Sequence, residues 1–263
     1  MSMVQVARDT LSIAESGRYL GPSGREVAID ARPALEGTRL FVPSELPLPF
    51  ASTSRSTRVS VTDETTAGAA RRLAQDGAVA LLDFASARNP GGGFLGGARA
   101  QEEDLCRKSA LYPCLLRARP YYDANRAERS ALYTDHLIYS PDVPFFRDDR
   151  LELLDEPFVA SVVTSPAPNA GALREDDERR ALRATFVRRI DHVLSVFAAR
   201  EHHRVVLGAW GCGAFRNDPS LVAELFAEAL AGRFAGVFDE VCFAIHDRAR
   251  GSPCLGAFRA RFG

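Results

Sequence analysis

The sequence predicts an α/β fold in which one sheet is covered by helices on both faces. Segments with strand character alternate with segments of helical period along the chain. Two of the strand-like runs, Ala78–Phe84 and Val205–Gly208, are short and continuously apolar, as strands buried on both faces are. Each is followed by a glycine-rich loop and then a helix, which is the arrangement of open α/β sheets. No linker divides the chain and no internal repeat shows, so a single domain over residues 1–263 is expected.

The elements follow in order. Val4–Ser16 reads as a helix stopped at Gly17. Gly21–Gly24 is a turn, with extended pieces at Glu26–Ile29 and Thr38–Val42, and the Pro- and Ser-rich run Pro43–Thr57 is a loop. Arg58–Thr62 alternates like a strand. Thr62 or Asp63 can cap a helix that runs to about Gln75, with Ala67, Ala70, Leu73 and Ala74 on one face and Gly77 at its end. After Ala78–Phe84, a helix is expected from about Gln101. Arg117–Arg150 is the least regular stretch and reads as a surface excursion over the sheet, or else as a wall of a cleft. Within it and after it, His136–Ser140 and Phe158–Thr164 read as strands. Glu175–Arg200 is the longest helix, with Leu182, Phe186, Ile190, Val193, Leu194 and Phe197 at helical spacing. Pro219 suits the first turn of a further helix, and Glu240–Ile245 is the last strand.

Composition excludes several classes. With 46% hydrophobic and 25% charged residues the chain is an ordinary globular mix. A net charge of -1 gives no whole-molecule attraction to DNA or to acidic membranes, so any polyanion must be held by local groups. Cys106, Cys114, Cys212, Cys242 and Cys254 form no Cys-x-x-Cys pair and are expected to be reduced, in a cytoplasmic protein. The five histidines show no zinc-ligand spacing, and neither a metal nor a cofactor is expected. Met1–Ser16 lacks the apolar core of a secretory signal, and no run is long enough to span a membrane.

Chemistry concentrates in two loops. Asn89-Pro90-Gly91-Gly92-Gly93-Phe94 follows a buried strand, and Gln101-Glu102-Glu103 comes seven residues later at a helix start. Three glycines let the backbone approach a ligand, and their N–H groups can face an anion. Acids in a first turn ordinarily just complement the helix dipole. The triglycine, the Asn and the amide nearby favour more than that. Adjacent helical residues point about 100° apart, so the two carboxylates should do different jobs. The second loop is Gly208–Phe215. It lacks the dinucleotide fingerprint, because Arg216 stands where a third glycine would be. Gly211, Cys212, Gly213 and Ala214 can still form a phosphate nest, with Phe215 packed on a sugar or base, or else the loop is a tight turn with Phe215 in the core. Ser165–Gly171 reads as a proline-set turn or a cleft edge. His246-Asp247 has no Gly-x-Ser-x-Gly partner and reads as structural or as a cleft edge.

The triglycine, the gap of seven and Gln101-Glu102-Glu103 resemble the signature of poly(ADP-ribose) glycohydrolases. Asn89-Pro90 and Phe94, the stretch Ala7–Tyr19 and the loop Gly211–Phe215 resemble the bacterial-type group, so the resemblance spans nearly the whole chain. It implies a macrodomain fold, a three-layer arrangement with a mixed sheet between helices, here with an N-terminal helical extension. It implies Glu103 as catalytic acid and Glu102 as the acid that binds ribose hydroxyls. Asn89, Gly91, Gly92 and Gly93 match the loop around the terminal ribose, Gly211, Cys212, Gly213, Ala214 and Phe215 match the diphosphate loop, and Phe94 and Gln101 are expected to join the substrate-binding residues. Adenine is expected near Thr62–Thr65. The implied partners are poly(ADP-ribose) or ADP-ribose and ADP-ribosylated proteins, met by a monomer. The rival readings are an ADP-ribose-binding macrodomain without turnover, a mono-ADP-ribosyl hydrolase without polymer activity, and an α/β scaffold whose glycines are only turns.

Overall fold

A computed structural model of the chain describes residues 1–51 and 53–263; Ser52, inside the expected Pro43–Thr57 loop, lies outside the described residues. The chain begins with α1 (Met3–Ser16), closed at its start by a Ser2/Gln5 capping box and at its end by Gly17 in the left-handed region. A small hairpin of β1 (Arg18–Leu20) and β2 (Glu26–Ala28) follows, then α2 (Arg32–Gly37) and β3 (Arg39–Phe41). Next come β4 (Arg58–Thr62), α3 (Thr66–Leu73), β5 (Ala80–Phe84), α4 (Gln101–Lys108), α5 (Leu111–Arg117) and α6 (Arg119–Ala127). The second half contains β6 (Leu137–Arg147), β7 (Leu153–Ser165), α7 (Asp176–Ala199), β8 (Arg204–Leu207), α8 (Pro219–Ala231), β9 (Glu240–Ala244) and α9 (Pro253–Phe262).

The main sheet has the order β3-β6-β7-β5-β8-β9-β4. The five strands from β7 to β4 are parallel, while β6 runs antiparallel to both β7 and β3, so the sheet is mixed. Its central strands feed two cores. Ala80 and Leu82 of β5, Val205 and Leu207 of β8, and Val241 and Phe243 of β9 pack with α7, α8 and α9. Their neighbours Leu81, Val206 and Cys242 pack on the opposite face, with α1, α3, α4, α5 and α6. Side chains alternate across a strand, so burial on both faces requires the continuous apolar runs seen in the sequence. Because the five strands are parallel, the loops after β5, β7, β8, β9 and β4 all emerge at one edge. The two glycine-rich loops are therefore neighbours. Among the described residues no helix is long and apolar enough to cross a membrane.

Several boundaries differ from expectation for identifiable reasons. The α3 cap is Thr65, whose hydroxyl accepts from Gly68 N–H at 3.0 Å, rather than Thr62 or Asp63, and its last turn tightens into a 3-10 segment at Ala74–Asp76. Arg117–Arg150 is not a surface excursion. It holds α6, which buries Tyr121 and Tyr122 fully, and β6, whose bulge between Ser140 and Val143 absorbs Pro141 and Asp142. Pro120 and Pro253 stand in first turns, where no backbone N–H is needed, and so start α6 and α9 rather than breaking them. The five cysteines are free thiols.

The β6–α7 side of the core carries a pH-dependent element. His202 is buried and shares a 2.8 Å hydrogen bond with the Tyr139 hydroxyl. Burial, the first cause, lowers its pKa from 6.5 to about 4. Above the ordinary value the ring is neutral folded or unfolded, and its contribution to stability is complete. As pH falls from 6.5 towards 4 the unfolded chain takes up the proton first and folded stability drops. The loss is on the order of 3 kcal/mol. Urea unfolding at pH 7 and pH 4.5 should show a smaller pH dependence for His202→Phe than for the parent protein. Equal slopes would rule the residue out as the source.

Candidate active site

The site is assembled from the carboxyl end of β5, the loop that follows it, and the start of α4. Gln101 fastens them. Its side-chain oxygen accepts from Phe84 N–H at 2.8 Å, while its amide nitrogen donates to Leu82 O at 2.8 Å and Thr66 Oγ1 at 3.1 Å. Both ends of this amide are thus committed to the protein, which corrects its expected place among ligand-binding groups: Gln101 is a latch. Phe94 is corrected as well. Its ring is fully buried and packs on Tyr112 with centroids 5.1 Å apart, so it anchors the loop in the core and presents nothing to a ligand.

Glu102 and Glu103 are both buried, at 3% and 7% exposure, and their carboxylates have different surroundings. Glu103 Oε1 accepts from Gly93 N–H at 2.8 Å and its Oε2 accepts from Ala100 N–H at 3.1 Å, which satisfies the backbone N–H at the start of α4. Glu102 Oε2 accepts from Ser86 N–H at 2.7 Å, and its Oε1 is buried without a partner among the described residues. Burial raises the Glu102 pKa well above the carboxylate range, helped by the charges of Asp83 and Glu103; the N–H groups of Ser86 and Gly91 pull the other way.

The triglycine serves these carboxylates. Gly91 and Gly92 both have positive φ, 64° and 56°. Gly92 N–H donates to Asn89 O at 3.0 Å and Gly93 N–H to Glu103. The N–H groups of Gly91 and Gly93 are thus directed at the protein's own acids, Glu102 and Glu103, and that of Gly92 at a carbonyl inside the loop. Asn89 itself is exposed, with its N–H on Ser86 Oγ at 3.1 Å.

The second loop behaves differently. Gly211 has φ 74°, and a side chain there would collide with Ala167 and Asn217. Asn217 donates to both Gly211 O and Pro168 O, at 3.0 and 2.8 Å, so Ser165–Gly171 buttresses this loop. Trp210 Nε1 adds a bond to Ser165 O at 3.1 Å. Among the described residues, the N–H groups of Gly213, Ala214 and Phe215 meet no protein acceptor. Three consecutive free N–H groups in a glycine-rich turn make an anion-binding concavity. Cys212 is half-buried against Trp210 O and Cys254, with its side chain on the core side of the loop. Phe215 is half-buried, with its ring 6.0 Å from that of Tyr133.

Two groups escaped the sequence reading. Asp83, in β5, is fully buried on the same face as Glu102, held by Thr164 Oγ1 at 3.0 Å, with its other oxygen unpartnered. Burial pushes its pKa up. Its signal was an acid inside the apolar run Ala78–Phe84, a costly choice in a strand covered on both faces. Tyr121 and Tyr122 place buried, unpartnered hydroxyls in the field of Glu102 and Asp83. Elsewhere, Thr65 Oγ1 donates to Asp149, which also pairs with Lys108 of α4, so the Thr62–Thr65 turn is tied to the same helix. Asp247 caps the turn into α9 by accepting from Ala249 and Cys254 N–H, and His246 lies 3.5 Å from Asp63.

Fold and site together define a macrodomain-like α/β protein with a buried acid pair at the carboxyl ends of its parallel strands. Residues 7–148 match the family model for the microbial-type PARG catalytic domain. The chain is similar to the poly(ADP-ribose) glycohydrolase of Thermomonospora curvata bound to the inhibitor ADP-HPD, with 47% identity, a TM-score of 0.94 and 99% of each chain covered. A glutamate-to-alanine mutant of that protein matches with a TM-score of 0.92, also at 47% identity and 99% of each chain. The Deinococcus radiodurans poly(ADP-ribose) glycohydrolase in complex with ADP-ribose matches at 50% identity and a TM-score of 0.82, over 87% of this chain and 95% of that one. Among curated proteins, none matches. The chain belongs to the microbial-type poly(ADP-ribose) glycohydrolase family.

Proposed function

We propose that the chain hydrolyses the ribose–ribose O-glycosidic bonds of poly(ADP-ribose), including polymer carried on ADP-ribosylated proteins, and releases ADP-ribose. The observation that carries this reading is the pairing of two loops at one sheet edge. One holds two buried carboxylates on backbone amides, and the other offers three consecutive free N–H groups to a diphosphate. The solved relatives are named as glycohydrolases of this polymer, with ADP-ribose or ADP-HPD bound.

In the proposed reaction Glu103 enters as the acid. Each of its oxygens accepts one N–H bond, from Gly93 or Ala100, and keeps a second lone pair, so the backbone holds the carboxyl in place while one oxygen carries the proton. Glu103 passes its proton to the leaving 2′-oxygen, the C1″–O bond breaks, and an oxocarbenium-like ribose forms. Water adds to C1″ and returns a proton to the Glu103 carboxylate, which leaves ADP-ribose and a shortened polymer with a free hydroxyl. The unpartnered Glu102 Oε1 accepts from a ribose hydroxyl and fixes the sugar against the acid. Gly213, Ala214 and Phe215 N–H groups hold the diphosphate, and Phe215 packs on the terminal ribose.

Purified protein incubated with poly(ADP-ribose) should release ADP-ribose as the accumulating product. Binding of ADP-ribose without any release would leave only a recognition module.

A further inference from the structure

The proposed reaction breaks the polymer between a terminal ribose and the adenosine of the next unit, so the leaving group is a purine nucleoside carrying a 5′-diphosphate. Nothing described so far receives it. The wall joining the two loops does have the right chemistry. Arg88 immediately precedes Asn89, is exposed, and among the described residues has no carboxylate within ion-pair distance. Its backbone is fixed on both sides, since its N–H donates to Ser86 Oγ and its carbonyl accepts from Arg126. Its guanidinium carbon lies 6.0 Å from the Tyr133 ring centroid, and Tyr133 in turn lies 6.0 Å from Phe215 of the second loop.

Tyr133 is held in an unfavourable conformation to make this contact. Its φ is 60°, a region that bulky residues rarely adopt. The fully buried Arg189 enforces it by donating to Tyr133 O at 3.3 Å, Leu132 O at 3.0 Å and Pro166 O at 2.8 Å while paired with Asp135 at 2.9 Å. Backbone strain that persists because its surroundings over-determine it concentrates at ligand-binding positions.

Resting on the reading above, we propose that Arg88, backed by Tyr133, is the subsite for the leaving adenosine. The outer face of the guanidinium stacks on the purine, and its charge meets the diphosphate of that unit. Planar, weakly hydrated guanidinium groups suit both tasks, whereas an ammonium suits only the second.

Arg88→Ala, a change at an exposed side chain, should raise KM for poly(ADP-ribose) by about tenfold. The Kd for free ADP-ribose, which lacks the second adenosine, should stay within about twofold by calorimetry. Arg88→Lys should recover less than half of the loss. An unchanged KM, or an equal loss in ADP-ribose affinity, would overturn the subsite, and full rescue by lysine would overturn the stacking. Failure of the parent protein to bind ADP-ribose or cleave polymer would instead strike at the proposed function, a distinguishable result.

Discussion

Glu103→Gln is expected to lower kcat on poly(ADP-ribose) by about 10³-fold, within the span attributed to general acid–base catalysis. The substitution keeps size and one acceptor oxygen. That oxygen can still take the Gly93 N–H now bonded to Oε1, so the loop keeps its shape. The new NH2 group then faces the Ala100 N–H, donor against donor, and the bond at 3.1 Å to the helix start is lost. Loss of one such bond costs about 1 kcal/mol, which shows as a small fall in Tm and leaves the fold intact. ADP-ribose should bind nearly as well as before, because the diphosphate rests on Gly213–Phe215 rather than on this side chain. The signature is therefore a collapse of kcat with Kd for ADP-ribose nearly kept. Turnover comparable to the parent protein would dismiss Glu103 as the acid.

Periodicity made the frame of the molecule legible, because it reports which residues are removed from water. The alternation of Arg58–Thr62 and the one-faced spacing of Phe186, Ile190, Val193 and Phe197 locate β4 and the core of α7 almost to the residue. The two loops stood out because consecutive glycines are costly unless backbone conformation or close approach requires them. What stayed hidden depends on partners distant in the sequence. Gln101 looked like a ligand amide because only the folded chain brings Leu82 O and Thr66 Oγ1 to it. Phe94 looked like a cleft residue because its position beside the triglycine says nothing about the Tyr112 ring behind it. Arg189 sits in a helix rich in arginine, and nothing local marks it as the one that is fully buried among carbonyls. Pro120 and Pro141 mask α6 and the continuation of β6 beyond Ser140, since a helix start and a bulge tolerate proline where local periodicity shows a break.

The triglycine offers a test in which activity and stability separate. A Cβ on Gly92 would stand 2.4 Å from Glu103 Oε1 and 3.1 Å from Glu102 Oε2, at a φ of +56°. The obstructing atoms are the ends of side chains, not backbone, so the fold can accommodate Gly92→Ala by swinging both carboxylates aside. The left-handed φ adds about 1 kcal/mol, a shift of roughly 2–4 °C in Tm for a chain of this size. The chemistry has no such latitude. A displacement near 1 Å at the reacting groups costs about 10²-fold in rate, and here both acids move together. Gly92→Ala should therefore lose at least about 10²-fold in kcat while remaining folded. Gly96→Ala, four residues along the same loop, meets nothing within 4 Å and has no positive φ, so it should stay close to the parent protein in both measurements. If Gly92→Ala stayed fully active, the contact between the triglycine and the acid pair would have no part in catalysis, and the reason for three glycines would have to be sought on the ligand side of the loop.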